Sequence, residues 1–261
     1  MQKILDFILF SVKDKPTQFG TFHLVFLFAM VVCSALIVIF RKRLSSKFVN
    51  RTLVVLGIIF IVLEVYKQLV FNWAEHKFQS YSWYIFPMQF CSTPIYLTAL
   101  CGFLKKGKVR EALLAFMATF GLFAGLSVMI LPDGVLCWWA GINIQTMILH
   151  SSMVVIGVLI FATKQIETSW KVFFKGMIVF ACFLLVALAL NFAWPLLKID
   201  ALFNMFQLSP YYQCDYPVLG DIQKAFPYPV FLLAYLVGFS SIAAFVFAIN
   251  KLINKLSRSK K

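Results

Sequence analysis

Long apolar stretches alternate along the chain with short polar connections. A helix needs about 20 apolar residues to cross roughly 30 Å of hydrocarbon. Seven stretches meet that length, at residues 20–40, 52–71, 83–104, 111–131, 139–163, 172–197 and 226–250. The pattern predicts an all-α polytopic membrane protein, a bundle of seven transmembrane helices forming a single membrane domain over residues 1–261. A shorter apolar run at residues 4–10 predicts a helix lying in the membrane interface.

Composition supports this class of protein and changes how the charge is interpreted. Hydrophobic residues make up 62% of the chain and charged residues only 13%, which excludes an ordinary soluble domain. A net charge of +14 would indicate nucleic-acid binding in a soluble protein. Here the basic residues lie in short connections between apolar stretches, so we expect them to orient the chain and meet anionic lipid, and we expect no nucleic-acid partner.

The positions of lysine and arginine predict the orientation of the bundle. Basic residues are concentrated after the first stretch, after the third and in the C-terminal tail, at Arg41, Lys42, Arg43, Lys47, Arg51, Lys105, Lys106, Lys108, Arg110, Lys251, Lys255, Arg258, Lys260 and Lys261. Residues 132–138 contain none. By the positive-inside rule, the N-terminus lies outside and the C-terminus lies in the cytoplasm.

Polar residues inside the apolar stretches cluster toward the predicted outer side. At 1.5 Å per residue, the approximate depths from that side are about 5 Å for His23, 10 Å for Glu64 and Asn191, 12 Å for Cys91 and 16 Å for His150. Asp133 lies at the outer rim. Because ionisable side chains are costly in hydrocarbon, this cluster predicts a cavity that opens outward.

The third stretch contains a candidate nucleophile. Pro94 cannot donate a hydrogen bond to the carbonyl of Phe90, so we expect an opened helix beside Cys91. A thiol becomes nucleophilic when a base takes its proton. His150, on one helix face with Asn143 and Thr146, is the histidine best placed to do so. The alternatives stay open that Cys91 packs as a small apolar residue and that His150 is structural.

Other features admit two interpretations each. Glu64 and Lys67, three residues apart on one helix face, form either a structural ion pair or part of a site. Residues 198–225 form either an ordered cap or a mobile lid. Cys137 and Cys214 both fall in predicted outer segments, which allows a disulfide between them. Gly121 and Gly125 are spaced for close helix packing.

The order of these elements resembles the YwaF-type bacterial integral membrane proteins and their animal relative, a transmembrane acyltransferase that remodels ether phospholipids. The resemblance covers nearly all seven stretches. It is carried by Phe19-Gly20-x-x-His23, Glu64, Pro87-Met-Gln89-Phe-Cys91-Ser, Pro132-Asp133, His150, Leu219-Gly220 and Pro227-Tyr-Pro229. The chain departs from the family pattern at Leu131, where Thr is common, and at Ser151, where Gly is common.

The resemblance implies an acyltransferase with a cysteine nucleophile and a histidine partner, roles that fall on Cys91 and His150. Gln89, Asn143 or Asn191 would stabilise the oxyanion, Asp133 or His23 would orient the imidazole or a headgroup, and Glu64 would support the site. The expected partners are membrane lipids, as phospholipid or lysophospholipid substrates. No cofactor and no metal are expected. The implied location is the bacterial plasma membrane.

Two other functions compete with this one. A transporter would use Glu64, Lys67, Asp133 and His150 as a path for a proton or small solute. The absence of an internal repeat and the apolar inner halves of the stretches count against it. A non-catalytic envelope protein is the third possibility, and the sequence does not discriminate against it.

Overall fold

The computed structural model describes residues 9–259, and side chains as far as residue 256. Within that range the chain folds into helices, which we label α1 (Thr21–Phe40), α2 (Ser46–His76), α3 (Thr93–Phe103), α4 (Lys108–Ile130), α5 (Ala140–Ala162), α6 (Trp170–Ala193), α7 (Leu219–Ala225) and α8 (Tyr228–Ser259). A single antiparallel bridge joins Ser11 to Trp139. Most of the interfacial helix predicted at residues 4–10 lies outside the described range.

Six helices in the described part of the chain are long and apolar enough to cross a membrane. They are α1, α2, α4, α5, α8 and α6, the last extended by a short 3₁₀ turn to Leu197. The prediction of an all-helical, multi-pass membrane protein is therefore confirmed. The predicted third stretch does not form a helix of that length.

The third stretch is broken where the sequence is rich in proline. Trp83–Ile85 and Phe90–Ser92 form 3₁₀ turns separated by irregular backbone, and α3 begins only at Thr93. Pro94 lies in the first turn of α3, where its missing N–H leaves no helical bond unmade. The regular helix is interrupted beside Cys91, as predicted, but Pro94 does not open a helix that continues through it, because Cys91 lies in the 3₁₀ turn before α3 and Pro94 lies in the first turn of α3.

The broken segment nevertheless runs back along α2. An added Cβ at Gly57 would lie 2.5 Å from the Cβ of Ala99, and one at Gly102 would lie 2.8 Å from the nitrogen of Val54. Farther along, the Gln68 amide donates to the carbonyl of Ile85 at 3.1 Å. The antiparallel contact therefore extends from Gln68 to Val54, about 21 Å at 1.5 Å per residue.

Helix α4 contains a π-helical segment at Met117–Gly121 and packs tightly on α5 beyond it. An added Cβ at Gly125 would lie 2.6 Å from the carbonyl oxygen of His150, so the two backbones touch there. An added Cβ at Gly121 would meet nothing closer than 3.9 Å. Of the two glycines predicted to mediate close packing, Gly125 does so. Local π-helical geometry of this kind is frequent at functional sites.

Residues 198–225 form an ordered cap, including the short helix α7. The Asn204 side chain accepts a hydrogen bond from the nitrogen of Ser209 and donates to Gln207 and to the carbonyl of Gln213. Met205, Phe206 and Leu208 are fully buried. Cys137 and Cys214 are both free, so the disulfide considered between them is not formed. Burial raises the pKa of the Cys214 thiol.

Candidate active site

Cys91 is positioned by its neighbour Phe90, which is buried in the aromatic core. The Phe90 ring makes edge contacts with four other rings, those of Phe116, Phe180, Phe206 and Phe239, at centroid distances of 5.1–6.2 Å. The Phe90 carbonyl accepts a 2.9 Å hydrogen bond from the hydroxyl of Thr93. Cys91 itself is partly buried, with a free thiol. Packing on one side and the start of α3 on the other therefore fix the turn that carries the thiol.

Gln89 and Asn191 attach the cap to the bundle beside this turn. Gln89 donates to the carbonyl of Asn204 at 3.0 Å and accepts from the nitrogen of Phe206 at 3.1 Å. Asn191 makes two 2.8 Å hydrogen bonds, to the nitrogen and the carbonyl of Met205. Both predicted site residues therefore use their amide groups to hold residues 204–206 of the cap.

His150 has one ring nitrogen hydrogen-bonded and one without a partner. Its Nδ1 lies 2.7 Å from the carbonyl oxygen of Thr146, one turn earlier in α5. A carbonyl oxygen can only accept, so Nδ1 carries the proton and Nε2 of the neutral ring is an acceptor. Nε2 is buried and has no hydrogen-bond partner among the described residues. Buried polar atoms are nearly always paired, so Nε2 is an acceptor that is open to a further hydrogen bond.

The buried Glu64 and the partly buried Lys67 form an ion pair on α2, with 2.9 Å between Lys67 Nζ and Glu64 Oε1. Gln68 donates to the same carboxylate oxygen at 2.6 Å and accepts from the hydroxyl of Tyr81. The other carboxylate oxygen of Glu64 is buried without a partner. A local hydrogen-bond network therefore fixes the ion pair and leaves one carboxylate oxygen of Glu64 able to accept a further hydrogen bond.

Lys67 lies within electrostatic range of the two predicted catalytic residues, Cys91 and His150. From the sequence, Lys67 was predicted to pair with Glu64 but was not predicted to belong to the acyltransferase site. The sequence did contain an indication of such a role, because a lysine inside a membrane-spanning stretch is rare and is usually functional.

A narrow apolar crevice lies between α3, the π-helical segment of α4, and α5. Its lining includes Pro94 and Met153 together with Met117, Gly121 and Ile156. Pro94 follows Cys91 by three residues, and Met153 follows His150 by three on its helix. Residues three apart on a helix share a face. The crevice holds no space for a water molecule, so this part of the interior is apolar and closed.

The remaining predicted site residues make contacts of other kinds. His23 is fully buried, and its ring nitrogens bond the nitrogen of Phe19 and the carbonyl of Met129, each at 2.9 Å. Asn143 makes two 2.8 Å hydrogen bonds to the backbone of Cys137. Asp133 is exposed. In this arrangement His23 ties α1 to the end of α4, and Asn143 braces the connection before α5.

Comparison with known sequences establishes the relationship of this chain. The sequence model of the TMEM164 family matches residues 18–251, which include all the helices described except the last residues of α8. The chain belongs to the TMEM164 family. No individually curated protein and no solved structure matches it.

The chemistry available to this TMEM164-family protein is that of a thiol, a neutral imidazole and a buried ion pair. Within residues 9–259, no group of three or more histidine, cysteine, aspartate or glutamate side chains is arranged to hold a metal ion. A thiol with an unoccupied imidazole nitrogen is the combination used in nucleophilic acyl transfer. The charge of Lys67 is suited to stabilise negative charge as it forms in an apolar interior.

Proposed function

We propose that this protein is a membrane-embedded acyltransferase that moves a fatty acyl chain between lipids through a thioester on Cys91. The observation that carries the proposal is the state of His150, whose Nδ1–H is held by Thr146 and whose Nε2 is a buried, unpartnered acceptor. That tautomer is the one required of a general base acting through Nε2.

Two observations support a working pair of Cys91 and His150. Lys67 lies within electrostatic range of both side chains, which places them in the same region of the bundle. Pro94, three residues after Cys91, and Met153, one helical turn after His150, line the same crevice. In the proposal the thiol and the imidazole meet above this crevice, directly or through one water molecule.

In the first half of the proposed reaction, Cys91 takes the acyl chain from a phospholipid ester. His150 Nε2 accepts the thiol proton while the sulfur attacks the ester carbonyl carbon. The carbon–oxygen bond to the donor then breaks, and the imidazolium gives its proton to the departing alkoxide. A thioester on Cys91 and a lysophospholipid result.

In the second half, a hydroxyl group of the acceptor lipid takes the acyl chain. His150 Nε2 accepts the hydroxyl proton, the oxygen attacks the thioester carbon, and the carbon–sulfur bond breaks. The thiolate recovers its proton from the imidazolium. Lys67, held by Glu64, stabilises the negative charge on sulfur and on the carbonyl oxygen in both halves.

The roles of the other predicted residues follow from their contacts. Gln89 and Asn191 act in this proposal by holding the cap over the thiol, and Asn143 and His23 by fixing the ends of α4 and α5. Both lipid chains enter sideways from the outer leaflet, with the protein oriented N-terminus outward. We also assign the protein to the bacterial plasma membrane, the location that the resemblance to the YwaF-type proteins implies.

The experiment is an acyl-transfer assay on purified full-length protein with a phospholipid labelled in one acyl chain and an unlabelled lysophospholipid acceptor. The wild type should transfer label, and Cys91→Ala should not. Cys182→Ala, which removes a lipid-exposed free thiol, is the matched control and should retain the wild-type rate. Equal transfer by wild type and Cys91→Ala would reject the proposal.

A further inference from the structure

A second feature of the protein is a cavity of about 540 Å³ at the end of the bundle opposite the cap. It lies between the first three turns of α2 and the last turn of α3, and its lining consists of Ser46, Lys47, Asn50, Arg51, Val54, Val55 and Gly102. It shares no residue with the site around Cys91. Its use is therefore a separate question from acyl transfer.

The shape of the cavity depends on a close helix contact. An added Cβ at Gly102 would lie 2.8 Å from the nitrogen of Val54 and 2.9 Å from the carbonyl oxygen of Asn50. The two backbones therefore touch at Gly102. Gly102 and this close contact therefore form the floor of a groove lined by Lys47 and Arg51.

The groove is strongly cationic. Lys47 and Arg51 line it with exposed side chains. Behind it, Arg110 is only 4% exposed and donates hydrogen bonds to Asn50 Oδ1 at 2.7 Å and to the carbonyl of Cys101 at 2.9 Å. Among the described residues, none of these three cations has a carboxylate within 4 Å.

Arg110 makes this cluster different from an ordinary basic surface. A buried guanidinium is normally paired with an acid, because an uncompensated charge in a low-dielectric interior is unfavourable. Here its hydrogen bonds go to neutral oxygens, and one of them fixes Asn50 in the cavity wall. Arg110 does not line the groove itself, and its charge adds to the positive potential behind Asn50.

We propose that this groove binds the phosphate of an anionic phospholipid. Lys47 and Arg51 contact the phosphate. The positive charge of Arg110, which is hydrogen-bonded to Asn50 behind the groove, adds to the electrostatic attraction. The apolar side chains of Val54 and Val55 continue the groove along the membrane-spanning part of α2, where they contact the start of an acyl chain. A free phosphate would use only the polar half of this surface, so the lipid is the ligand that fits both halves.

The test measures thermal unfolding of the full-length protein in detergent as phosphatidylglycerol is added. The melting temperature of the wild type should rise to a plateau as phosphatidylglycerol is added. Phosphatidylcholine should need at least a tenfold higher concentration to reach half of its effect. The double variant Lys47→Gln/Arg51→Gln should lose at least tenfold in apparent affinity for phosphatidylglycerol. Because both side chains are exposed, its melting temperature without lipid should match that of the wild type.

Two controls decide between this site and general attraction to negative charge. Lys105→Gln/Lys106→Gln removes the same charge from nearby exposed positions that do not line the groove, and it should bind phosphatidylglycerol like the wild type. Inorganic phosphate at equal concentration should not reproduce the stabilisation. Equal losses in the two double variants, or equal stabilisation by phosphate alone, would overturn the proposal.

Discussion

The Nδ1 atom of His150 lies 2.7 Å from the carbonyl oxygen of Thr146, and this one contact fixes the tautomer of the ring. Nε2 is thereby left as a buried acceptor with no partner among the described residues. The contact is local to α5 and was not visible in the sequence, where Thr146 and His150 were related only by lying on one helix face.

If His150 is the general base, replacing it with Gln should reduce the rate of acyl transfer by about 10²–10⁴-fold. The glutamine side chain fills much of the same volume but does not accept a proton near neutral pH. The measurement is the single-turnover rate of label transfer in the wild type and in His150→Gln. A Gln variant with an undiminished rate would contradict the role of His150 as general base, and its melting temperature would show whether the ring contributes to stability.

The ion pair of Glu64 and Lys67 should be sensitive to the loss of either partner. Glu64→Gln leaves the Lys67 cation buried without its counter-charge, which is expected to cost roughly 3–5 kcal/mol of stability. The double variant Glu64→Gln/Lys67→Met removes both charges and should be closer to the wild type. Thermal unfolding in detergent gives both values, and a double variant less stable than Glu64→Gln would contradict the expected coupling.

The double variant also separates stability from activity. If Lys67 stabilises charge during acyl transfer, Glu64→Gln/Lys67→Met should fold but transfer label slowly. Full activity in a folded double variant would limit the ion pair to a structural role.

Asn191 should matter for the cap. Asn191→Ala removes two hydrogen bonds and leaves the nitrogen of the buried Met205 without its partner, while the Met205 carbonyl still accepts from the nitrogen of Leu208 at 3.1 Å. An unsatisfied buried polar group costs about 1–3 kcal/mol, so the variant should melt at a clearly lower temperature. Gln79→Ala, at an exposed position, serves as the control. Equal melting temperatures for the two variants would mean that the cap does not depend on this contact.

The orientation of the bundle is tested by cysteine labelling from one side of the membrane. In a background with the native cysteines replaced, Lys42→Cys and Gly134→Cys place a thiol at two exposed positions. If the broken segment before α3 and α3 together cross the membrane, three crossings separate these positions and they label from opposite sides. Only Gly134→Cys should react with an impermeant reagent added outside. Labelling of both from one side would contradict the seven-crossing arrangement.

Sequence reasoning was most successful where hydrophobic length decides the structure. The six long helices follow directly from apolar stretches, because backbone groups in hydrocarbon must bond within the helix. The broken segment around Cys91 was less predictable. Pro94 has no N–H to donate, which is compatible with an opened helix or with a helix that starts there, and only the chain before it decides between them.

Contacts between distant parts of the chain were out of reach of the sequence. Gln89 and Asn191 were predicted to stabilise the oxyanion of an acyltransferase, and in the structure their amides bond residues 204–206 of the cap. His23 likewise bonds Met129 across the bundle. Such pairings depend on the packing of helices, which neither periodicity nor charge specifies.

The most direct test of the proposed mechanism is to look for the acyl group on Cys91 itself. Purified protein is incubated with labelled phospholipid without an acceptor, and the label is tested with neutral hydroxylamine, which cleaves thioesters readily and oxygen esters slowly. We predict a hydroxylamine-sensitive acyl group that maps to the peptide containing Cys91, is absent from Cys91→Ala and persists in Cys182→Ala. Acyl transfer that proceeds in Cys91→Ala, or a label that maps to another cysteine, would contradict the account.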